Sequence, residues 1–174
     1  MNRRRLLVLA AGASLSGCGF QPVYMPTASG NAGVAERELA AIKVDLIPDR
    51  PGQVLRQALQ DRLERSASGV AQLYELSVAL GFTGEGIAIQ PDSTATRIRS
   101  TGSAYWTLIA QDRGRTRLSR GSAKAVDGLN VIDTQYFMAD MENEAVTRRL
   151  ADALADQIVM QLAAYFRKRA TASG

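Results

Sequence analysis

Cys18 is the only cysteine in the 174-residue chain, and its neighbours prescribe a reaction for it. Leu15-Ser16-Gly17-Cys18 has the leucine-small-small-cysteine spacing of a bacterial lipobox. Small residues let a peptidase grip the chain just before Cys18, and a thiol held at the bilayer surface is alkylated by a diacylglycerol. Three acyl chains on such a cysteine anchor stably, because each buried methylene contributes about 0.8 kcal/mol whereas one chain alone holds only marginally. The preceding residues agree with this chemistry. Met1-Asn2-Arg3-Arg4-Arg5 is basic, Leu6 to Ala11 is apolar, and small residues lead up to Gly17, the order of a secretory signal. The apolar run is too short for a membrane span, which needs about 20 apolar residues. Residues 1–17 therefore read as a lipoprotein signal peptide and Cys18 as the lipidated start of the mature chain. Gly19 follows rather than Asp, so nothing here signals inner-membrane retention, and the periplasmic face of the outer membrane is the expected location.

Elsewhere the residue types exclude more chemistry than they offer. The sequence has no histidine, which removes Ser-His-Asp and Cys-His catalysis and His-based metal sites. With one cysteine, already committed, an oxidising compartment brings no intramolecular disulfide. Carboxylate pairs stay open by counting alone, yet the acids fall on helix faces, where solvated surface charge accounts for them. Asp140-Met141-Glu142-Asn143-Glu144 lacks the twelve-residue loop of a calcium hand. No catalytic site, no cofactor and no metal is expected. The formal charge of +4 also shrinks, since three of the 21 Lys and Arg lie in the signal, leaving 18 against 17 acids. That balance gives no ground for nucleic-acid binding.

What stands out is charge segregation. Between Ser93 and Val126 lie seven basic residues, Arg97, Arg99, Arg113, Arg115, Arg117, Arg120 and Lys124, against one acid, Asp112. Two readings stand. Forked guanidiniums on a long hairpin suit phosphate recognition, with Tyr105 and Trp106 adding apolar or stacking area. Alternatively, the charges solubilise an edge hairpin and keep it from pairing with other sheets. In a lipid-anchored envelope protein the phosphates in question are those of lipids.

The elements that carry these residues follow from periodicity. Residues 18–39 read as a lipidated, flexible tether, with Pro22 and Pro26 blocking a helix and a small, polar run to Gly33. Ile42-Lys43-Val44-Asp45-Leu46 alternates as a half-buried strand. Asp49 is placed to cap the next helix, with Pro51 in its first turn and Val54, Leu55, Ala58, Leu59 and Leu63 on one stripe. Tyr74, Leu76, Val78 and Leu80 form a second alternating strand. The glycines at 81, 84 and 86 interrupt it. No Gly-Lys-Ser/Thr follows and no helix opens, so they read as a twisted or bulged strand rather than a phosphate loop. In the third strand Ile98, Ala104, Trp106 and Leu108 share one parity, and Arg97, Arg99, Thr101, Ser103 and Thr107 the other. Asp112-Arg113-Gly114 is a turn, and Thr116 to Val126 returns as a strand. Leu118 and Val126 point to an inner face there, but Arg120 and Lys124 share their parity, so a bulge or an exposed end is needed.

An irregular connection from Gly128 to Met138 precedes the last helix, in which Val146, Leu150, Leu154, Ile158, Leu162 and Phe166 recur every fourth residue. Acids at its start and Arg167-Lys168-Arg169 at its end complement the helix dipole. The order β-α-β-β-β-α predicts an α+β two-layer sandwich. It has about four strands, with two helices on one face, in a single domain over 40–169 followed by a short disordered tail at 170–174.

Cys18-Gly19-Phe20-Gln21-Pro22-Val23-Tyr24, behind its lipobox, resembles one branch of the LptE family of lipopolysaccharide-assembly lipoproteins. The element order over roughly 40–168 is similar too. So is the last helix, where Glu144-Ala145-Val146-Thr147-Arg148-Arg149-Leu150 leads into Ala155-Asp156-Gln157-Ile158-Val159-Met160-Gln161-Leu162. The resemblance implies a plug inside the outer-membrane barrel that inserts lipopolysaccharide, one that assists barrel assembly and contacts lipopolysaccharide. It further implies a basic contact near the start of the third strand, falling on Arg97 or Arg99. A second basic position, near the entry to the last helix, finds Asp140 to Glu144 here, a departure from the family pattern. The partners implied are an LptD-like barrel, lipopolysaccharide and the membrane. The other readings are an auxiliary lipoprotein of a different envelope lipid transporter and a carboxylate-based envelope hydrolase.

Overall fold

A computed structural model describes residues 33–63, 70–89, 95–130 and 136–172. The order is α1 (Val34–Ala40), β1 (Ile42–Val44), α2 (Asp49–Leu63), β2 (Tyr74–Ile89), β3 (Ala95–Ala110), β4 (Arg117–Asn130) and α3 (Tyr136–Ala172). The strands form one sheet in the order β1-β2-β3-β4, with β1 parallel to β2 and the other pairs antiparallel. The fold is α+β, a two-layer sandwich with three helices among the described residues where two were expected.

Strand alternation produces the layers. Along β2 the buried set is Tyr74, Leu76 and Val78, and along β3 it is Ala104, Trp106 and Leu108, as period-two side chains require. These meet α3, whose Val146, Leu150, Leu154, Ile158, Leu162 and Phe166 are all buried. The alanines between them, Ala151, Ala155 and Ala163, are buried too and let the helix lie close. Against α3 pack α1 and α2, the latter through Leu55, Ala58, Leu59 and Leu63. Arg62 fastens the pair of long helices, donating to Asp156 at 2.6 Å and Asp152 at 3.2 Å.

Several expectations change. The tether was expected to run to 39, but Val34–Ala40 is a helix whose Ala35 and Leu39 are buried in the core. Seven residues are too few for a stable isolated helix, so packing rather than propensity forms it. The irregular connection to 138 is shorter than expected. β4 continues to Asn130 and α3 already begins at Tyr136 and runs to Ala172, past the expected end of the domain. The glycines of β2 do not break it; the strand is continuous for 16 residues, with its register shifts at Gly86 to Ile89. On β4 the inner residues are Ala123 and Ala125, while Val126 is 58% exposed. The reason is a bulge. Leu108 faces Ser119 but Ile109 faces Arg117, so Leu118 is the extra residue and reaches the core out of phase.

Two glycines are demanded by close approach. A Cβ on Gly52 would lie 2.8 Å from the Ile47 side chain and carbonyl, where the β1–α2 connection folds onto the helix. One on Gly121 would lie 2.6 Å from the Trp106 ring. Gly121 thus opens the slot in which Trp106 donates from Nε1 to Gln161 Oε1 at 3.0 Å.

Candidate functional site

Helices cover one side of the sheet; the other is open. Ladder register sets out its rows, because directly paired residues share a face. At one end stand Glu75, Ile109 and Arg117. Next come Ser77, Thr107 and Arg120, then Ala79, Tyr105 and Ser122, and then Gly81, Ser103 and Lys124. Thr83, Thr101 and Val126 follow, and Glu85, Arg99 and Gly128 close the series, with Arg97 beyond them opposite Asn130. The face is therefore a lawn of small and hydroxyl side chains with one exposed aromatic ring near its middle and guanidiniums toward its two ends.

All seven candidate basic residues are exposed. They do not form one cluster. Arg97 and Arg99 sit at the β2–β3 end, Arg113, Arg115, Arg117 and Arg120 gather at the β3–β4 turn, and Lys124 lies between. At about 3.3 Å per residue, the ten residues from Arg99 to Ile109, which Arg117 faces, separate the ends by roughly 33 Å. Trp106 and Tyr105 also part company. Trp106 is 3% exposed and belongs to the core, so only Tyr105, at 68%, offers its ring to the open face. Alternation carried this split, since adjacent strand residues point to opposite faces.

The turn end is preorganised. Arg115 has a φ of 46°, and its amide donates to the Asp112 carbonyl at 3.1 Å. The Asp112 carboxylate accepts from the Thr116 amide and hydroxyl, each at 3.1 Å, and these bonds, the amide first, hold its pKa below the ordinary value. Arg115 then reaches across the sheet to Glu75 at 2.6 Å, which neutralises part of the charge at this end. On the helix side of β4, Asp127 accepts from Arg149 of α3 at 2.7 Å. Burial works to raise the Asp127 pKa, but Arg149 and the Gly128 amide outweigh it and the net direction is down.

At the entry of the last helix the acids expected there are present, with Glu142 and Glu144 exposed. A cation reaches this end from elsewhere: Arg50 of α2 bonds Glu144 at 2.9 Å beside a shallow groove of about 370 Å³ that Pro51, Val54, Met141 and Thr147 help to line. Periodicity within α3 alone had no signal for that pairing. Cys18 lies outside the described residues. Among the described residues no helix is long and apolar enough to cross a membrane, and no group of three His, Cys, Asp or Glu side chains is placed to hold a metal.

These features define a class, two-layer α+β domains whose single sheet is covered on one side and open on the other. A family model described as LptE, lipopolysaccharide-assembly, matches residues 39–162, most of the chain. The chain belongs to the LptE family, and membership gives it a role in lipopolysaccharide assembly. No curated protein sequence matches it. A solved structure described as a lipoprotein of Caulobacter crescentus CB15 is similar with a TM-score of 0.63 at 21% identity, covering 76% of this chain and 96% of that one. The rare lipoprotein B of Shewanella oneidensis is similar with a TM-score of 0.51 at 9% identity, covering 71% and 92%. Both likenesses are of fold.

Proposed function

We propose that this chain is an outer-membrane lipoprotein, anchored through Cys18 on the periplasmic side, that plugs and helps assemble the lipopolysaccharide-inserting barrel and touches lipopolysaccharide in transit. One observation supports the lipid contact above others. The open face carries Arg120 and Lys124 in the rows next to exposed Tyr105 and Arg97, Arg99 and Arg117 toward its ends, with Arg113 and Arg115 in the adjoining turn. Guanidiniums bind phosphate oxygens in a forked geometry, and lipid A offers phosphates together with acyl chains. A domain of two layers is also narrow enough to enter a wide barrel, and plugging requires lasting contacts rather than turnover.

Two measurements test the reading. Full-length protein extracted in mild detergent is expected to bring down a barrel far larger than its own 18.7 kDa. Recovery of inner-membrane transporter subunits instead would favour the auxiliary of another lipid transporter. For the lipid contact, Arg97→Ala with Arg99→Ala is expected to weaken lipopolysaccharide binding about tenfold at low salt and less at high salt, because exposed charges are screened. Unchanged binding at low salt would return the hairpin to a solubilising role. Mass spectrometry of native protein is expected to show Cys18 carrying acyl chains, with residues 1–17 removed.

A further inference from the structure

The sheet has two edges, and the chain treats them differently. Hydrogen-bond direction alternates along a strand, so on β4 the even-numbered residues point their backbone groups away from β3. The last helix meets them. Gln157 accepts from the Lys124 amide at 3.2 Å and donates to the Lys124 carbonyl at 3.0 Å, while Gln161 donates to the Ser122 carbonyl at 2.9 Å. Two glutamines one helical turn apart thus occupy the edge where another strand would pair. Covering an edge in this way is how soluble sheets avoid unwanted strand addition.

On the other side β1 is three residues long and pairs only with Tyr74 to Leu76. Asp45 donates to the Leu76 carbonyl at 3.0 Å, the last bond of the ladder, and the chain then turns away. Leu76 faces β1, whereas Leu73 accepts from Gln111 beyond the end of β3, so the even residues of β2 are the ones that point outward. Val78, Leu80, Phe82, Gly84 and Gly86 therefore present amides and carbonyls in a lane where, among the described residues, no hydrogen bond reaches them. Val78 to Gly86 lacks the Lys, Arg and Pro that usually protect an edge, its single charge is Glu85, and the register shifts of β2 begin only after Gly86. Leu80 and Phe82 are only half buried against the core. Leu46, where the chain leaves the lane, is 73% exposed.

We infer that this lane is a strand-addition site, filled by an extended segment of the barrel partner that pairs with β2 from Val78 to Gly86 and continues the line of β1. The occupant is set by the lane. Its backbone supplies the hydrogen bonds, and alternate side chains must be apolar to sit beside Leu80 and Phe82 as Ile42 and Val44 do beside their neighbours. The side chains between them face the open side, next to Thr83 and Glu85. The nine-residue edge is about 30 Å long. Strand pairing over that length alone falls short of the roughly 1,200 Å² that stable association buries, so a second copy returning only this edge through a twofold axis would not hold. A partner that already encloses the domain supplies the remaining area. The inference in this respect rests on the proposed barrel partnership.

Residue-resolved amide exchange on the full chain tests it, comparing the complex isolated from native envelopes with the same chain stripped of partners. The amides of Val78, Leu80, Phe82 and Gly84 are expected to exchange freely in the stripped chain and at least about tenfold more slowly in the complex, while those of Ser77, Ala79, Gly81 and Thr83 are protected in both. Gly84→Pro deletes one outward donor and leaves the ladder to β3 intact, at a position where an added Cβ meets only the Ile98 methyl at 3.5 Å. It is expected to lower partner recovery about fivefold with unchanged stability of the free chain. A barrel that co-purifies while the four amides stay unprotected overturns the strand addition and leaves the barrel reading standing. Absence of any barrel sinks both. Protection in the stripped chain that rises with its concentration assigns the lane to a second copy and overturns the hetero-partner.

Discussion

On β3, Trp106 is buried and hydrogen-bonded while Tyr105 beside it stands in solvent, and the same division runs along every strand. One face of the sheet is apolar, close-packed and roofed by three helices. The other is rich in Ser, Thr, Ala and Gly around Tyr105, with guanidiniums toward its ends. Each strand supplies both, so the difference costs no extra chain; it comes from alternation and from helices arriving on one side only. Stability should reside on the covered face and recognition on the open one, and substitutions can break or sharpen that division.

The largest effect is expected at Leu154, fully buried on the sheet-facing side of α3. Leu154→Ala should cost about 2–5 kcal/mol by chemical denaturation, whereas Val126→Ala across the sheet should stay within about 0.5 kcal/mol. Equal costs would erase the distinction between the faces. Next comes Gly121→Val, which forces a side chain onto Trp106 and the Gln161 amide. A loss of about 1–3 kcal/mol with altered tryptophan fluorescence is expected.

A pH test probes the rim of the covered face. Tyr74 packs on Phe166 and donates to Glu38 at 2.6 Å. Burial first, then that bond and the Glu38 charge, push its pKa up from 10.0 to about 12. The folded state thus favours the neutral phenol. Its contribution is complete below pH 10 and is lost as pH rises through about 12. The unfolding free energy should fall more steeply over that window for the native chain than for Tyr74→Phe, by at most about 3 kcal/mol. On the open face, Arg120→Ala with Lys124→Ala should change stability by less than about 0.5 kcal/mol yet weaken lipopolysaccharide binding at low salt. The smallest effect belongs to Arg50→Ala. Its pair with Glu144 is exposed on both sides, and removing it should cost under about 0.5 kcal/mol.

Much of this architecture was legible in the residues. The fourfold stripe of α3 and the parity of β2 and β3 each repeat often enough for a periodic signal to outweigh local exceptions. Where the signal was short, reading failed. Ala35 and Leu39 are too few to mark an amphipathic helix, and α1 exists because α3 offers it a surface. On β4, Leu118 and Val126 share a parity, but the bulge shifts one of them, so the inner face belongs to Ala123 and Ala125. Small residues carry little hydropathy contrast and could not announce themselves. The basic candidates were named correctly as residues of a hairpin, yet their separation into two ends needed the ladder.

Alternation and the helical stripe are local properties of the chain, and local properties determined which residues turn inward on β2, β3 and α3. The side of the sheet on which the helices gather, the glutamines that close the β4 edge and the lane that the described residues leave open beside β2 depend on contacts between segments far apart in sequence. Those contacts are set by how whole surfaces fit, and only the folded molecule decides them.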